Sequence, residues 1–446
     1  MQPVRLASLI VLALTATAAP AADRPKVPYE KFESPDACAA CHVDFTRQHE
    51  QALMSQSYTH HWDEIEYFQL ALPHARKEPK VAEVEAGCNG CHAPLAFLAG
   101  DIPPKPPKEG TRANEGVSCD LCHAITGFDG DVPFNFNYRV EPGDAKSATR
   151  APGEGAVHAT RQVAFLKSAE YCGTCHNEKD PWGLWVKATH LEWKEGPHGK
   201  AGIVCQDCHM PKAEGVAADG GEPRKDVRQH LFHGAHDAGK LAGVVEVRIH
   251  PQDLSVKAGA PTKLTAVLVN AKAGHMVPSG SAEERVLWLE VEARDARGRI
   301  LRLPVDRKGF EGEDYTIASS KAKAYQDIGD IKGLTDFAGL ARDGEVPDGC
   351  RIFRLPYLDP KGRMTIAQWN TAAFGPDYRL KPLVAVNETY TWNVPADVSP
   401  GKVEVVARVY YSRLVSSVAE YLGVPREESV PVLVSEHRTS FDVVAP

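Results

Sequence analysis

The spacing of hydrophobic residues changes about halfway along this chain. Beyond Leu241, apolar and polar residues alternate over short segments, which is the pattern of β-strands that bury one face. The segments are Val244–His250, Thr262–Asn270, Val286–Arg294, Arg351–Leu355, Glu388–Val394, Lys402–Tyr411 and Thr439–Val443. Turn signals at Asp295–Gly298 and Asp359–Gly362 separate some of them. The pattern predicts an Ig-like β-sandwich domain over residues 241–446, with one short helical insert at Leu414–Leu422.

The first half of the chain lacks this alternation. Helical spacing of apolar residues is confined to short segments, at Val43–Met54, His61–Leu72, Thr160–Tyr171 and Trp185–Lys194. Coil rich in Pro and Gly separates them, at Gly100–Gly110 and Val132–Gly155. We therefore expect short helices and long loops here, and a mixed α and β fold for the chain as a whole.

Residues 1–22 have the pattern of a secretory signal peptide. Arg5 supplies a positive charge, Leu6–Thr17 an apolar run, and Ala19–Ala21 a cleavage site of small residues. A membrane-spanning helix needs about 20 apolar residues, so this run is too short for an anchor. We expect export to the periplasm or the cell exterior, with no integral membrane segment after signal cleavage.

Five copies of one short motif lie between Cys38 and His209. They are Cys38-Ala-Ala-Cys41-His42, Cys88-Asn-Gly-Cys91-His92, Cys119-Asp-Leu-Cys122-His123, Cys172-Gly-Thr-Cys175-His176 and Cys205-Gln-Asp-Cys208-His209. This spacing is the attachment signature of c-type haem, because two such thiols can bond both vinyl groups of one porphyrin. The histidine that follows is then held under the iron as its proximal ligand. Zinc ribbons also pair cysteines in this way, but they do not require a histidine after every second cysteine.

We therefore predict five covalent haem c groups, each held by two cysteines and a proximal histidine. Ten of the eleven cysteines belong to the motifs, so a disulfide framework is not expected. The eleventh, Cys350, opens a predicted strand. We expect it to be a buried, small apolar residue, and a free thiol available for cross-linking is the alternative.

The motif segment is too short to build a separate hydrophobic core around each cofactor. The porphyrins must then supply much of the core, with the short helices and loops wrapped over them. We place this haem-packed pentahaem domain at residues 23–240. The second and third motifs are close in sequence, as are the fourth and fifth, which predicts two stacked haem pairs.

Thirteen histidines lie outside the motifs and are candidates for the second, distal ligand of each iron. The predicted distal ligands in the first half of the chain are His158, His198, His230, His61 and His236. His60 is an alternative to His61. His49 is expected to pack on a haem edge or to serve a different haem, and Met54 is expected in the core rather than on an iron.

His275 is the distal candidate that lies in the predicted sandwich. It follows the strand Thr262–Asn270 within the sequence Gly274-His275-Met276-Val277-Pro278. The flanking glycine and proline favour a loop of defined shape at the end of a sandwich. We predict that His275 extends to the haem domain and caps one iron, and a histidine bonded to its own loop is the alternative.

Composition narrows the class of partner. The formal net charge of −8 gives no support for a nucleic-acid partner, which would call for a basic patch. The hydrophobic content of 43% and the charged content of 25% are those of an ordinary soluble globular protein. Redox proteins are the expected partners, and assembly into a homo-oligomer or filament is a further option.

Several local sequences resemble multihaem cytochromes c related to the hydroxylamine-oxidation electron carriers, with a β-sandwich appended. They are Glu115–His123, Ser168–Cys172, Cys205–Pro211, Gly274–Gly280, Gln368-Trp369 and Asp377–Arg379. The resemblance implies electron transfer and does not fix a substrate. In such families a Ser-x-His follows the first motif. This chain has Ser55-Gln56-Ser57 there, which leaves the distal ligand of the first haem open.

Three functions compete at this stage. The first is an electron carrier with mostly bis-histidine haems, and it is the one that the sequence favours. The second is a pentahaem enzyme that reduces nitrogen oxyanions or hydroxylamine. Such enzymes often have Lys in place of one motif histidine, and all five motifs here keep His. The third is a subunit of an extracellular cytochrome filament, which surplus histidines would permit.

Overall fold

The structure is a computed structural model that describes residues 25–135, 137–151, 156–307, 323–342 and 346–445. The predicted signal peptide lies outside the described residues. The molecule combines short helices with many small sheets, which confirms the mixed α and β class. We call residues 25–241 the motif region and residues 245–445 the sandwich region.

The motif region is built from short helices. They are α1 (Pro35–Ala39), α2 (Val43–Glu50), α3 (His61–Ile65), α4 (Leu72–Lys77), α5 (Val84–Gly87), α6 (Asn89–His92), α7 (Pro94–Ala99), α8 (Cys119–Cys122), α9 (Ala169–His176), α10 (Thr189–Glu195), α11 (Pro197–Lys200), α12 (Cys205–His209) and α13 (Ala238–Leu241). A π-helical turn, Glu66–Ala71, joins α3 to α4. The predicted helix His61–Leu72 is therefore present and continues to Lys77.

Four two-stranded ribbons lie between these helices. They pair β1 (Ile125–Phe128) with β2 (Tyr138–Val140), β3 (Lys146–Ala148) with β4 (Thr160–Gln162), β5 (Asn177–Lys179) with β6 (Trp185–Ala188), and β7 (Lys212–Gly215) with β8 (Arg224–Arg228). The ribbon of β3 and β4 is parallel, and the other three are antiparallel.

Two of the predicted helices are partly wrong. Thr160–Gln162 is a strand, and the helix of the fourth motif begins only at Ala169. Trp185–Ala188 is also a strand, because Asp180 closes a tight turn that folds it back on β5. The Asp180 carboxylate accepts the backbone N–H groups of Trp182 and Leu184 at 3.0 and 2.8 Å. Such turn chemistry overrides the helical spacing of the apolar residues.

The sandwich region contains two larger sheets. Its strands are β9 (Val245–Pro251), β10 (Ser255–Lys257), β11 (Pro261–Asn270), β12 (Val286–Arg294), β13 (Ile300–Leu303), β14 (Lys323–Tyr325), β15 (Leu340–Ala341), β16 (Arg351–Phe353), β17 (Tyr357–Leu358), β18 (Ala373–Phe374), β19 (Ala385–Asn393), β20 (Gly401–Ser412) and β21 (Val432–Val444). Its helices are α14 (Ile328–Ile331) and α15 (Ser416–Leu422).

One sheet has the order β10-β21-β20-β12-β13, with β16 also paired to β12, and the other has the order β19-β11-β9. Burial alternates along β9 and β11, so that one face of each strand packs inward. The inward faces of both sheets contribute to one cluster of buried side chains. The predicted two-sheet sandwich is therefore present.

The buried cluster of the sandwich extends into the motif region. Trp62, Tyr67 and Leu70, from the helical run that starts at α3, are members of the same cluster as the sandwich strands. The Trp62 indole also donates to Glu284 Oε1 at 3.2 Å. This part of the motif region therefore shares its hydrophobic core with the sandwich. Within the described residues, no helix is long and apolar enough to cross a membrane.

Candidate haem-binding site

Each motif lies on or at the end of a short helix. Helical geometry places residues three positions apart on the same side, so both thiols of a motif face one way with the histidine beside them. Ser34 and Pro35 start the first of these helices, where Ser34 Oγ accepts the N–H of Ala37 at 3.4 Å. All eleven cysteine thiols are free, which leaves the ten motif thiols available for thioether bonds.

Contacts between motifs give their order in space. The Cys38 thiol lies against that of Cys119, which joins the first motif to the third. The Tyr171 hydroxyl donates to the carbonyl of Cys122 at 3.0 Å, which joins the third to the fourth.

The fourth motif also contacts the fifth and the second. The Cys172 thiol lies against Cys205 of the fifth motif. Cys91 Sγ lies 3.9 Å from the carbonyl oxygen of Cys175, so the second motif contacts the fourth. The motifs therefore form a connected chain, first to third to fourth to fifth, with the second attached at the fourth.

Four motif histidines have one ring nitrogen tied to a backbone carbonyl. The Nδ1 atoms of His42, His92, His123 and His209 lie 2.7, 2.9, 2.6 and 2.7 Å from the carbonyl oxygens of Ala217, Ser57, Ser147 and His233. A carbonyl can only accept, so each Nδ1 carries the proton. The unprotonated Nε2 is then left to ligate a metal, which is the usual outer-shell arrangement of metal-binding histidine.

Three predicted distal ligands lie opposite motif histidines. The ring centroids of His42 and His158 are 6.2 Å apart, those of His123 and His230 are 6.4 Å apart, and those of His209 and His275 are 6.5 Å apart. The last two pairs are nearly parallel, with interplanar angles of 18° and 17°.

These separations fit an iron held between two imidazoles. Two metal–nitrogen bonds of ~2.0 Å, plus ~1.1 Å from each nitrogen to its ring centre, add to ~6.2 Å. The Nδ1 atoms of His158, His230 and His275 also donate to nearby carbonyl oxygens, at 3.0, 3.1 and 2.8 Å. In all three predicted distal histidines the Nε2 atom is therefore unprotonated, as it is in the motif histidines opposite them.

Electrostatics favour neutral rings at two of these positions. Burial lowers the pKa of His209 to about 4, and the neighbouring His275 adds to the shift. Burial likewise lowers the pKa of His230 to about 4, assisted by His123 opposite it. Neutral imidazole is the form that ligates a metal.

The second and fourth motifs differ from the other three. Within the described part of the chain, His92 and His176 face no second histidine ring at this spacing. His92 Nδ1 lies 3.1 Å from Asp63 Oδ1. Burial lowers the pKa of His92, but the carboxylate of Asp63 outweighs it and raises the pKa overall.

The other three predicted distal ligands are His198, His61 and His236. His198 packs at Gly274, where an added Cβ would lie only 3.2 Å from the His198 Cβ, and its Nδ1 is buried without a hydrogen-bond partner. The His61 Nε2 lies 3.4 Å from Glu428 Oε1. The His236 ring is 6.1 Å from that of His233.

His190, which was not among the predicted ligands, also lies beside a motif. This residue is 2% exposed and packs against Gly173 of the fourth motif, and its Nε2 has no hydrogen-bond partner. In the sequence, His190 is one of several histidines near the motifs, and nothing in its neighbouring residues distinguishes it from the others.

The loop of His275 is anchored from both regions. Asn270 Nδ2 donates to the His275 carbonyl at 2.8 Å from the sandwich side. On the other side, the Glu192 carboxylate accepts the Met276 N–H at 3.1 Å and the Ser279 hydroxyl at 2.6 Å. Arg379 donates to the same carboxylate at 2.5 Å. Sequence reasoning gave no role to Glu192 or Arg379, because the contacts join residues far apart in the chain.

Buried acids surround the second motif. A small cavity of about 30 Å³ is bordered by His92 and lined by Tyr58, Asp63, Glu66, Tyr67, Asn89 and Gln368. Burial raises the pKa of Glu66, and the negative charge of Glu284 adds to the shift. Burial also raises the pKa of Glu284 to about 7.

No family model matches the chain. Among solved structures, the penta-haem cytochrome c552 of Thermochromatium tepidum is similar over 92% of this chain and 99% of its own, with a TM-score of 0.60 and 19% identity. The chain therefore shares the fold of that protein. The alkylpurine DNA glycosylase AlkC of Pseudomonas fluorescens matches at a TM-score of 0.17 and 7% identity, over 46% of this chain and 32% of its own. The sporulation control protein Spo0M of Bacillus subtilis matches at a TM-score of 0.17 and 10% identity, over 46% of this chain and 51% of its own. These two likenesses are too weak to support an inference.

Proposed function

We propose that this protein is an exported multihaem c-type cytochrome that carries electrons along five covalently bound haems. The observation that carries the proposal is the set of three imidazole pairs at 6.2–6.5 Å. In each pair, one ring belongs to a motif whose two thiols lie beside it. An iron closed on both sides by imidazole can exchange electrons but has no free position for a substrate.

The residues divide into three groups. The five cysteine pairs of the motifs form the thioether bonds, and the five motif histidines are the proximal ligands. His158 caps the first haem, His230 the third and His275 the fifth. When bound, haem supplies reversible one-electron exchange at iron, and the protein tunes it through these axial ligands and their hydrogen bonds.

For the fourth haem we propose His198 as the distal ligand. It packs beside Gly274, and the adjacent His275 is close enough to His176 to lower its pKa, after the larger effect of burial. The order of the motifs in space supports an electron route from the first through the third and fourth to the fifth, with a branch at the second.

Export belongs to the same proposal. The charged start, apolar run and small-residue cleavage site of residues 1–22 support it, as does the need for haem attachment outside the cytoplasm. The partners would be redox proteins in the periplasm or outside the cell.

The test combines mass with spin state. We expect the mature protein to carry the mass of five haems. His158→Ala, His230→Ala and His275→Ala should each turn one haem in five from low-spin to high-spin, as read by electron paramagnetic resonance. The matched control is His250→Ala, because His250 is an exposed histidine of β9. Fewer than five haems, or a His275→Ala protein with an intact low-spin spectrum, would count against the proposal.

A second candidate function is reduction of nitrogen oxyanions or hydroxylamine at the second haem. Buried Glu66 and Glu284 in this part of the molecule favour it, because carboxylic acids with raised pKa values can supply protons to a reduced substrate. A stoichiometric high-spin signal in the unmodified protein, with turnover of either compound, would support the enzyme. A wholly low-spin protein that binds neither compound would exclude it.

A further inference from the structure

A cluster of three metal-ligating side chains lies apart from the three paired haem positions. His60 and His61 stand at the start of α3, and Glu428 lies on the short 3-10 turn Arg426–Ser429 of the sandwich region. Their ligand atoms all lie within 4.8 Å of one another. The cluster therefore draws two imidazoles from one region and a carboxylate from the other.

The distances in this cluster suit metal ligation better than hydrogen bonding. Glu428 Oε1 lies 3.4 Å from His60 Nε2 and 3.4 Å from His61 Nε2. Hydrogen bonds between such atoms are usually ~2.9 Å long. Ligands bound at ~2.0–2.1 Å in a tetrahedral site are ~3.3–3.4 Å from one another, which matches both separations. The His61 Nε2 atom is also buried without a hydrogen-bond partner.

Neighbouring groups hold the three ligands in orientation. Arg413 Nη2 contacts Glu428 Oε2 at 2.8 Å, which fixes the carboxylate and leaves Oε1 directed at the two histidines. The His60 Nδ1 faces Asp63 Oδ2 at 3.6 Å, and the other oxygen of Asp63 contacts His92. Carboxylates behind ligating histidines are the usual outer shell of a metal site.

We propose that His60, His61 and Glu428 bind a divalent first-row transition metal ion, separate from the haem irons. Two imidazoles and one carboxylate suit zinc or ferrous iron and disfavour calcium and magnesium, which take oxygen ligands. Three protein ligands leave a further position for water. Because the ligands come from both regions, the ion links the motif region to the sandwich. This inference does not depend on the proposed electron-carrier function.

The test uses the haem-loaded protein after treatment with a chelator, with Zn²⁺ as the probe. Calorimetry and elemental analysis should find one Zn²⁺ per chain in addition to the haem iron. Glu428→Gln should weaken Zn²⁺ binding by ~100-fold or more, beyond the ~10–100-fold expected for an outer-shell change. The matched control is Glu427→Gln, an exposed neighbour on the same turn, which should bind Zn²⁺ as the unmodified protein does.

The haem spectrum distinguishes this site from axial ligation of a haem. His61→Ala and His60→Ala should each lose the Zn²⁺ and keep the spin state of every haem. If either change makes a haem high-spin, that histidine is an axial ligand and the proposal is overturned. Equal Zn²⁺ binding by Glu428→Gln and Glu427→Gln would also overturn it. A haem content matching the unmodified protein confirms that each variant has folded.

Discussion

In the sandwich region, long ladders of backbone hydrogen bonds join neighbouring strands, and strands β20 and β21 are 12 and 13 residues long. The helices that carry the motifs have only four to eight residues. Helices this short are unstable alone, since nucleation is costly and few backbone bonds follow. The sandwich is held by its strand ladders and by a core that it shares with the helical run from α3 to α5, whereas the rest of the motif region depends on what its short helices pack against.

This difference between the two regions indicates that the haems stabilise mainly the motif region. The two imidazoles of each pair lie on separate segments of chain, for example His123 at the end of α8 and His230 after β8. An iron between them would bridge those segments. The motif region should therefore lose its structure with its haems, while the sandwich should not.

The largest expected effect comes from removing one haem. Cys119→Ala with Cys122→Ala should take one haem from the protein and loosen the whole motif region, because the third motif contacts both the first and the fourth. Limited proteolysis should then cut within residues 25–240 and spare the sandwich. Cys350→Ala is the control for loss of a thiol, since Cys350 is buried in the sandwich. Equal resistance of the two regions to protease would contradict the comparison.

The sandwich offers a smaller effect that depends on pH. Asp327 is completely buried, and this burial raises its pKa from 3.8 to about 7, with a contribution from Asp359. Between pH 4 and 7 the unfolded chain ionises Asp327 and the folded chain does not, so stability falls as pH rises through this window. The cost at pH 8 is roughly 4 kcal/mol, for a shift of about 3 pKa units at ~1.4 kcal/mol per unit.

Asp327→Asn should remove this dependence. The variant should match the unmodified protein near pH 4 and become more stable than it above pH 7, as measured by denaturant unfolding of the sandwich. The exposed Asp336→Asn controls for the loss of one charge. A stability difference that does not change with pH would show that Asp327 is not protonated in the folded protein.

The two regions also differ in how far the sequence predicts them. Strand β11 (Pro261–Asn270) matches the predicted Thr262–Asn270 to within one residue, because period-two alternation records which face is buried. The short strands β14, β15, β17 and β18 were not predicted, since two or three residues carry no period. The predicted strand Thr439–Val443 is only the end of β21, which begins at Val432.

The site follows the same division. The five motifs could be found because the chemistry of haem attachment fixes a local spacing. His158, His230 and His275 were proposed from their positions near motifs or between glycine and proline, and they lie opposite motif histidines. The pairing itself could not be predicted, because it joins distant segments. The contact of Glu192 could not be predicted for the same reason, because it joins α10 to the distant loop of His275.

The smallest expected effect lies where the two regions meet. The Ser279 hydroxyl donates to Glu192 at 2.6 Å, so Ser279→Ala should cost ~1 kcal/mol of stability. In a chain of this length the melting temperature should fall by ~2 °C or less. The haem of the fifth motif should stay low-spin, because Asn270 and the Met276 N–H still anchor the His275 loop. Ser255→Ala, at an exposed position of β10, is the control and should change neither measurement. If Ser279→Ala instead produced a high-spin haem, the position of the His275 loop would depend on this one hydrogen bond. The contacts of Asn270 and of the Met276 N–H would then be too weak to hold His275 at the fifth haem.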